Sequence, residues 1–353
     1  MLYMSLYSGK IFFVLMLVMA WALCLRFYVR DVSEQIAFYI DMLLMFVLSL
    51  MISYDISVRP IDILGDTFAY YDFYLDLEGG VVGPFDKGFV YLSKALVFLD
   101  MAYTVLFLLV PLCLMSSYYC LSVIVFGRRS FIPLLLIICL ALYPFFFSLA
   151  ANILRQGVAI AVLNFSLSML LMHGRIKAWL LFFLAFLLHK SSVVFAPIIF
   201  FYKRLSRCSV ITLLWLWFFV SLASYFGLFR NISQIAFSHL SALGLSINYS
   251  DIDASEYLSG FRWDFWFFSS FPVVCLSLYT LVSNKEDPLK SGFMNVSCLL
   301  GIFHIMLLDI AYSDRFGVYA WIYYPILMAI LLRAAALNVL SGYKHFLAMK
   351  RSL

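Results

Sequence analysis

Almost the whole chain is divided into apolar runs of membrane-crossing length, separated by short turns that hold many of its arginines and lysines. A bilayer core takes about 20 residues of helix to cross, and within it every backbone N–H and C=O must be paired inside the chain. Repeated runs of this kind exclude a soluble domain. Composition agrees: 65% of the residues are hydrophobic and 12% charged, about half the charged fraction of a soluble domain. The expectation is an all-α, polytopic integral membrane protein, one transmembrane domain over residues 1–353.

Lys and Arg placement orients the bundle, because cytoplasmic turns are enriched in both. Ile11 to Phe27 reads as a retained first helix, with Arg26 and Arg30 on the cytoplasmic side and the N-terminus outside. Ile36–Ile52 returns outward. Residues 55–100 then form an acidic external segment, with Asp62, Asp66, Asp72, Asp76, Glu78 and Asp86. Spans follow at Tyr103–Phe126, Phe131–Ser148 and Asn152–Met172, with basic cytoplasmic turns at Gly127-Arg128-Arg129 and at Arg175 and Lys177. After Val210–Phe226 comes a second external loop, residues 229–264. Phe265–Val282, Gly292–Leu308 and Phe316–Leu332 complete a set of about 9 to 11 crossings, counted by apolar length.

Residues 178–202 break this pattern. Ala178–Leu188 and Val193–Tyr202 are each about half the length a crossing needs. Yet basic residues flank the pair on both sides: Arg175 and Lys177 before it, Lys203, Arg204 and Arg207 after it. Two half-length helices with His189-Lys190 at the apex fit both facts. One tilted helix would instead bury an ionisable pair in hydrocarbon, which is costly.

On this topology Arg59, Asp62, Asp66, Arg155, Gln156, His189, Lys190, Asp314 and Arg315 all fall at the external face. Asn152, Arg155, Gln156 and Ala159 are spaced i, i+3, i+4 and i+7, one face of a helix. The helices that open at Asn152 and at Phe316 start on the same side, each with an arginine in or beside its first turn. Free N–H groups, a positive helix end and a two-donor guanidinium together suit a pyrophosphate. The alternatives are ordinary ones. Arg155 could snorkel to headgroups, Asp314-Arg315 could be a cap with an interfacial cation, and His189 could be a satisfied structural histidine. Asp62 and Asp66, continued by Tyr70 and Tyr74, read either as a solvated face or as a sugar-gripping row of carboxylates and aromatics.

The seven cysteines fit no disulfide framework, and no metal-ligand spacing occurs. No phosphate-binding glycine loop for ATP is present.

The stretch ANILRQGVAIAVLNFSLSMLL…GRIKAWLLFFLAFLLHKSSVVFAPII resembles the core signature of the EpsG-like, Wzy-type bacterial polysaccharide polymerases. Asp66-Thr-Phe-Ala-Tyr70-Tyr71 and Asp314-Arg315-Phe-Gly-Val-Tyr319 fit the same family, so the resemblance runs from about Arg59 to Leu332. It implies a multi-pass protein of the bacterial inner membrane, a GT-C-like arrangement, and an undecaprenyl-pyrophosphate-linked oligosaccharide as substrate. It further implies a chain-length-determining co-polymerase as partner, with no cofactor and no nucleic acid. The implied reaction is an inverting glycosyl transfer that joins repeat units, with the growing glycan as donor. Arg155, Arg315 and Lys190 would stabilise the departing pyrophosphate, and Arg59, Asp62, Tyr70, Asn152, Gln156, Asp314 and Tyr319 would line the site. His189 and Asp66 are both candidates for the base that takes the acceptor's proton. An O-antigen ligase and a lipid-linked-oligosaccharide flippase, a transporter that forms no bond, are the rival readings.

Overall fold

In the computed structural model, residues 34–61, 66–81, 83, 85–230, 261–283, 287–310 and 312–352 are described. Ile11–Phe27, Asp62 and most of the 229–264 loop lie outside them. The described residues form helices joined by turns and hold no strand. They pack as two compact units, one ending at Ile199 and one beginning at Phe200.

The first unit opens with α1 (Glu34–Ser57), followed by two short helices, α2 (Thr67–Glu78) and α3 (Lys87–Phe98). Then come α4 (Tyr103–Phe126) and α5 (Ile132–Ala141). Gly127 ends α4 at φ +84°, ψ 155°, a conformation open only to glycine, which makes the turn into Arg128-Arg129. Next, α6 (Pro144–Phe147) runs into a π-turn at Ser148–Asn152, and α7 (Leu154–Leu171) follows. Last come α8 (Arg175–Leu188), a 3₁₀ turn at Lys190–Phe195 and the start of α9 (Ala196–Leu205). At the centre lies α7, the most enclosed of the candidate spans, packed between α4 and α8. Its polar side chains tie it to both neighbours: Asn164 Nδ2 donates to Ser117 Oγ of α4 at 3.1 Å, and Ser166 Oγ to Ala178 O of α8 at 2.7 Å. Such pairs suit a lipid-embedded bundle, where an unpaired polar group has no water to turn to.

Two expected helices differ. Phe131–Ser148 is not one straight helix but a pair, Ile132–Ala141 and Pro144–Asn152, bent by 69°. Pro144 is the cause: it bars the helical region to Tyr143, which sits extended at φ −88°, ψ 124°. Nor does Asn152 share the helix face of Arg155 and Gln156. It ends the π-turn, and the non-helical Ile153 (φ −112°, ψ 63°) separates it from α7.

The break expected at His189-Lys190 is present. His189 is extended, and Ser192 repairs the interruption: its N–H donates to His189 O (3.0 Å) and its Oγ to Ala185 O (3.3 Å). Local side-chain partners of this kind keep a broken helix's backbone satisfied.

The second unit contains the rest of α9, α10 (Val210–Tyr225), α11 (Trp263–Val282), α12 (Pro288–Met306), α13 (Asp314–Trp321) and α14 (Tyr324–Ser352). Asn295 of α12 clamps the basic turn before α10, donating to Leu205 O, Ser206 O and Cys208 O at 3.0–3.2 Å. Trp–Ser pairs join α10 to α11: Trp217 Nε1 to Ser270 Oγ (2.8 Å) and Trp266 Nε1 to Ser221 Oγ (2.9 Å).

Among the described residues six helices are long and apolar enough to cross a membrane, or seven with the bent pair counted as one span. The chain is a multi-pass membrane protein. This count is of the described residues alone, short of the expected 9 to 11. The first apolar run lies outside the described residues, α10 is a shorter apolar helix, and the 175–205 segment is broken into pieces.

Candidate active site

In the first unit, one carboxylate gathers the residues that sequence reasoning had marked separately. Asp86 Oδ2 accepts from Arg155 Nη1 at 2.9 Å and lies 3.1 Å from His189 Nδ1. Three segments thus meet: the residue just ahead of α3, the first turn of α7, and the break after α8. Close backbone packing produces the meeting. A Cβ on Gly88, in the first turn of α3, would fall 2.6 Å from the carbonyl carbon and oxygen of Leu187, so only glycine lets α3 press against the end of α8. A Cβ on Gly157 would fall 2.2 Å from Leu149 O, so glycine also seats α7 against the π-turn.

Phe85 shares in holding Arg155, whose guanidinium lies 4.5 Å from the ring centre. That ring is fixed in turn by Tyr70 (5.4 Å), Phe73 (4.5 Å) and Phe89 (6.0 Å). The charge of Arg155 also acts on the neighbouring Tyr70 hydroxyl. The arginine side chain nevertheless stays 24% exposed, against 9% for Asp86, so it keeps access to a ligand while its partner is enclosed. Burial would raise the Asp86 carboxyl, but the hydrogen bond from His189 and the charges of His189, Arg155 and Lys190 outweigh it and hold the group below the usual range.

Asp86 occupies the N-cap position of α3, yet its side chain accepts nothing from that helix. An aspartate there commonly caps the first turn, a bond worth about 0.5–2 kcal/mol. Here the carboxylate turns away from its own helix toward Arg155 and His189.

Arg59 does a different job. Nη1 donates to Ile56 O (2.5 Å), and Nη2 donates to Ala151 O (2.5 Å) and Thr67 Oγ1 (3.1 Å). Thr67 Oγ1 donates to the same Ala151 O at 3.1 Å. Asn152 Oδ1 accepts from the Asp66 N–H at 2.9 Å. The end of α1, the start of α2 and the π-turn ahead of Arg155 are therefore laced together. Buried beside the Phe107 ring at 4.8 Å, the Arg59 guanidinium is pushed down by desolvation to about 10.

The other marked residues fall as follows. Gln156 is buried in the first turn of α7, Tyr70 is buried against Phe85 and Phe89, and Tyr74 is buried with its hydroxyl on Met101 O (2.6 Å), so these two tyrosines form no solvated face. Lys190 follows His189 and acts on Asp86 through its charge. Asp314, Arg315 and Tyr319 belong to the second unit. There Arg315 lies over the Tyr312 ring at 4.8 Å, Asp314 stands in the first turn of α13, and Tyr319 is buried. No group of His, Cys, Asp and Glu among the described residues could hold a metal ion.

Asp86 was the residue that sequence reasoning missed. In an acidic segment it looks like one carboxylate among several. Its one local signal is position: an aspartate at a helix start, after Pro84-Phe85 and two residues before Gly88.

No curated protein and no solved structure matches the chain. The EpsG family, which includes Wzy-like polymerases, matches it across residues 42–337, a range that runs from within α1 to the middle of α14 and takes in every residue of the cluster just described. The chain belongs to the EpsG family.

Proposed function

We propose that this protein is a membrane polysaccharide polymerase that joins lipid-linked oligosaccharide repeats, with its reaction centre at Arg155 and His189. Family membership supports the polymerase-like role. The observation that carries the choice of site is the meeting of Arg155 and His189 on one enclosed carboxylate, in a chain without a nucleotide-binding motif. The donor is a glycan on undecaprenyl pyrophosphate, and the acceptor is a sugar hydroxyl of the next lipid-linked repeat. The hydroxyl oxygen bonds to the donor's anomeric carbon with inversion. The bond from that carbon to the pyrophosphate oxygen breaks, and its electron pair leaves with the pyrophosphate. Arg155, partly exposed at the head of α7, neutralises the charge that develops there, assisted by Lys190 and the α7 helix end. His189 takes the hydroxyl proton, and it is preferred to Asp66 because the imidazole belongs to the Arg155 cluster. The acidic segment and the His189 break face the outside of the inner membrane.

The test is a gene deletion complemented with wild type or His189→Ala. The deletion should leave the surface glycan capped with a single repeat, and wild type should restore the ladder. His189→Ala should lower polymer formation by about 10²–10⁴, as general-base removal does. Loss of all repeats from the surface would indicate a ligase, and repeats trapped on the cytoplasmic leaflet a flippase. Either would overturn the reading.

A further inference from the structure

We infer that Asp86 is the positioning residue of this site, holding His189 by its Nδ1 so that Nε2 is the nitrogen that takes the acceptor's proton. The inference rests on the function proposed above and deepens it.

Three observations carry it. First, Asp86 Oδ2 lies 3.1 Å from His189 Nδ1 and is only 9% exposed, so an N–H at Nδ1 finds its acceptor in a largely dehydrated place. A carboxylate at one ring nitrogen fixes the tautomer and leaves the other nitrogen as the proton acceptor. Second, Asp86 gives up the cap that its position ahead of α3 offers. A purely structural aspartate at that place would turn to its own helix. Third, Gly88 admits Leu187 at a distance no side chain would allow, which brings the carboxylate to the residue following Leu188.

The proton and charge balance closes. As the sugar oxygen bonds to the anomeric carbon, its proton passes to Nε2 and the ring becomes an imidazolium. Its Nδ1–H remains on the ionised Asp86, and the negative charge leaves on the pyrophosphate. The second contact of Oδ2, with Arg155 Nη1, keeps the carboxylate ionised.

The experiment uses the complemented deletion strain, in membranes carrying that strain's own lipid-linked repeats, and reads the initial rate of polymer formation per membrane-inserted protein. Asp86→Asn keeps the shape and loses the charge. Asp86→Ser supplies a good helix cap and should leave protein level unchanged. Both should lower the rate at saturating repeat by about 10²-fold, within the loss expected for His189→Ala. Asp86→Glu, which retains a carboxylate, should recover part of it. In the His189→Ala background, Asp86→Asn should cost less than about twofold more, because a residue acting through His189 has nothing left to act on. Near-normal rates for Asp86→Asn would overturn the inference while leaving the His189 reading intact. So would a loss that adds in full to that of His189→Ala, or one coupled only to Arg155. A full ladder from His189→Ala would remove both readings together.

Discussion

At the scale of single residues, two arginines that look alike in the sequence have different surroundings. Arg155 keeps a quarter of its side chain exposed, whereas Arg59 spends its terminal nitrogens on Ile56 O, Ala151 O and Thr67 Oγ1. If Arg155 grips pyrophosphate, Arg155→Lys should restore polymer only in part, since lysine keeps the charge but loses the planar fork. Equal activity for lysine would mark Arg155 as an anchor to headgroups. Arg59→Ala should act through the fold instead. It takes the donor from Ile56 O and leaves Ala151 O to Thr67 alone, at about 1–3 kcal/mol for a group left unpaired, so membrane-inserted protein should fall. Near-normal protein level with lost polymer would place Arg59 in the reaction after all. Acid should test Asp86. A carboxyl held below its usual pKa stabilises the fold above the unfolded value and loses that contribution only as pH falls through the folded one. The Tm difference between wild type and Asp86→Asn should therefore persist down to about pH 5 and shrink only below the ordinary 3.8. Arg155 and His189 were legible from sequence because a charge beside an apolar run is expensive and stands out. Asp86 was not, because an aspartate in an acidic segment carries no such contrast, and only the fold shows that it faces inward.

At the scale of elements, glycine decides what meets what. Gly88→Ala would bring a Cβ within 2.6 Å of the Leu187 carbonyl. The start of α3 must then move off α8 and take Asp86 with it. A displacement of about 1 Å at a site like this can cost 10²-fold in rate, so the variant should insert normally yet form little polymer. Unchanged polymer from Gly88→Ala would separate the α3–α8 contact from the chemistry. Helix lengths were largely readable from apolar runs: Tyr103–Phe126 is α4 from end to end. Local backbone chemistry set the exceptions. Pro144 bends the expected 131–148 span by 69°, and the π-turn at Ser148–Asn152 takes Asn152 off the α7 face. Hydropathy is blind to both, because the residues that make those turns are themselves mostly apolar. The interruption at His189 was visible, since there the polarity changes along with the backbone.

At the scale of the whole molecule, a single carboxylate joins three segments distant in sequence, and an EpsG-family chain places that junction beside the N-terminal end of α7. Sidedness is tested by labelling. Val81→Cys, at a well-exposed position in the acidic segment, should react with an impermeant thiol reagent on spheroplasts, while Cys208 should react only after permeabilisation. Reaction of Cys208 from outside would invert the topology and move the site to the cytoplasm. The membrane class was legible because the bilayer imposes length and polarity on every span; the junction was not, because long-range packing leaves no periodic trace. The most direct test of the central claim is the surface-glycan ladder of the deletion strain carrying Arg155→Ala, normalised to protein in the membrane. The account predicts that the ladder collapses to single repeats while the protein remains inserted. A full-length ladder from well-expressed Arg155→Ala would contradict it.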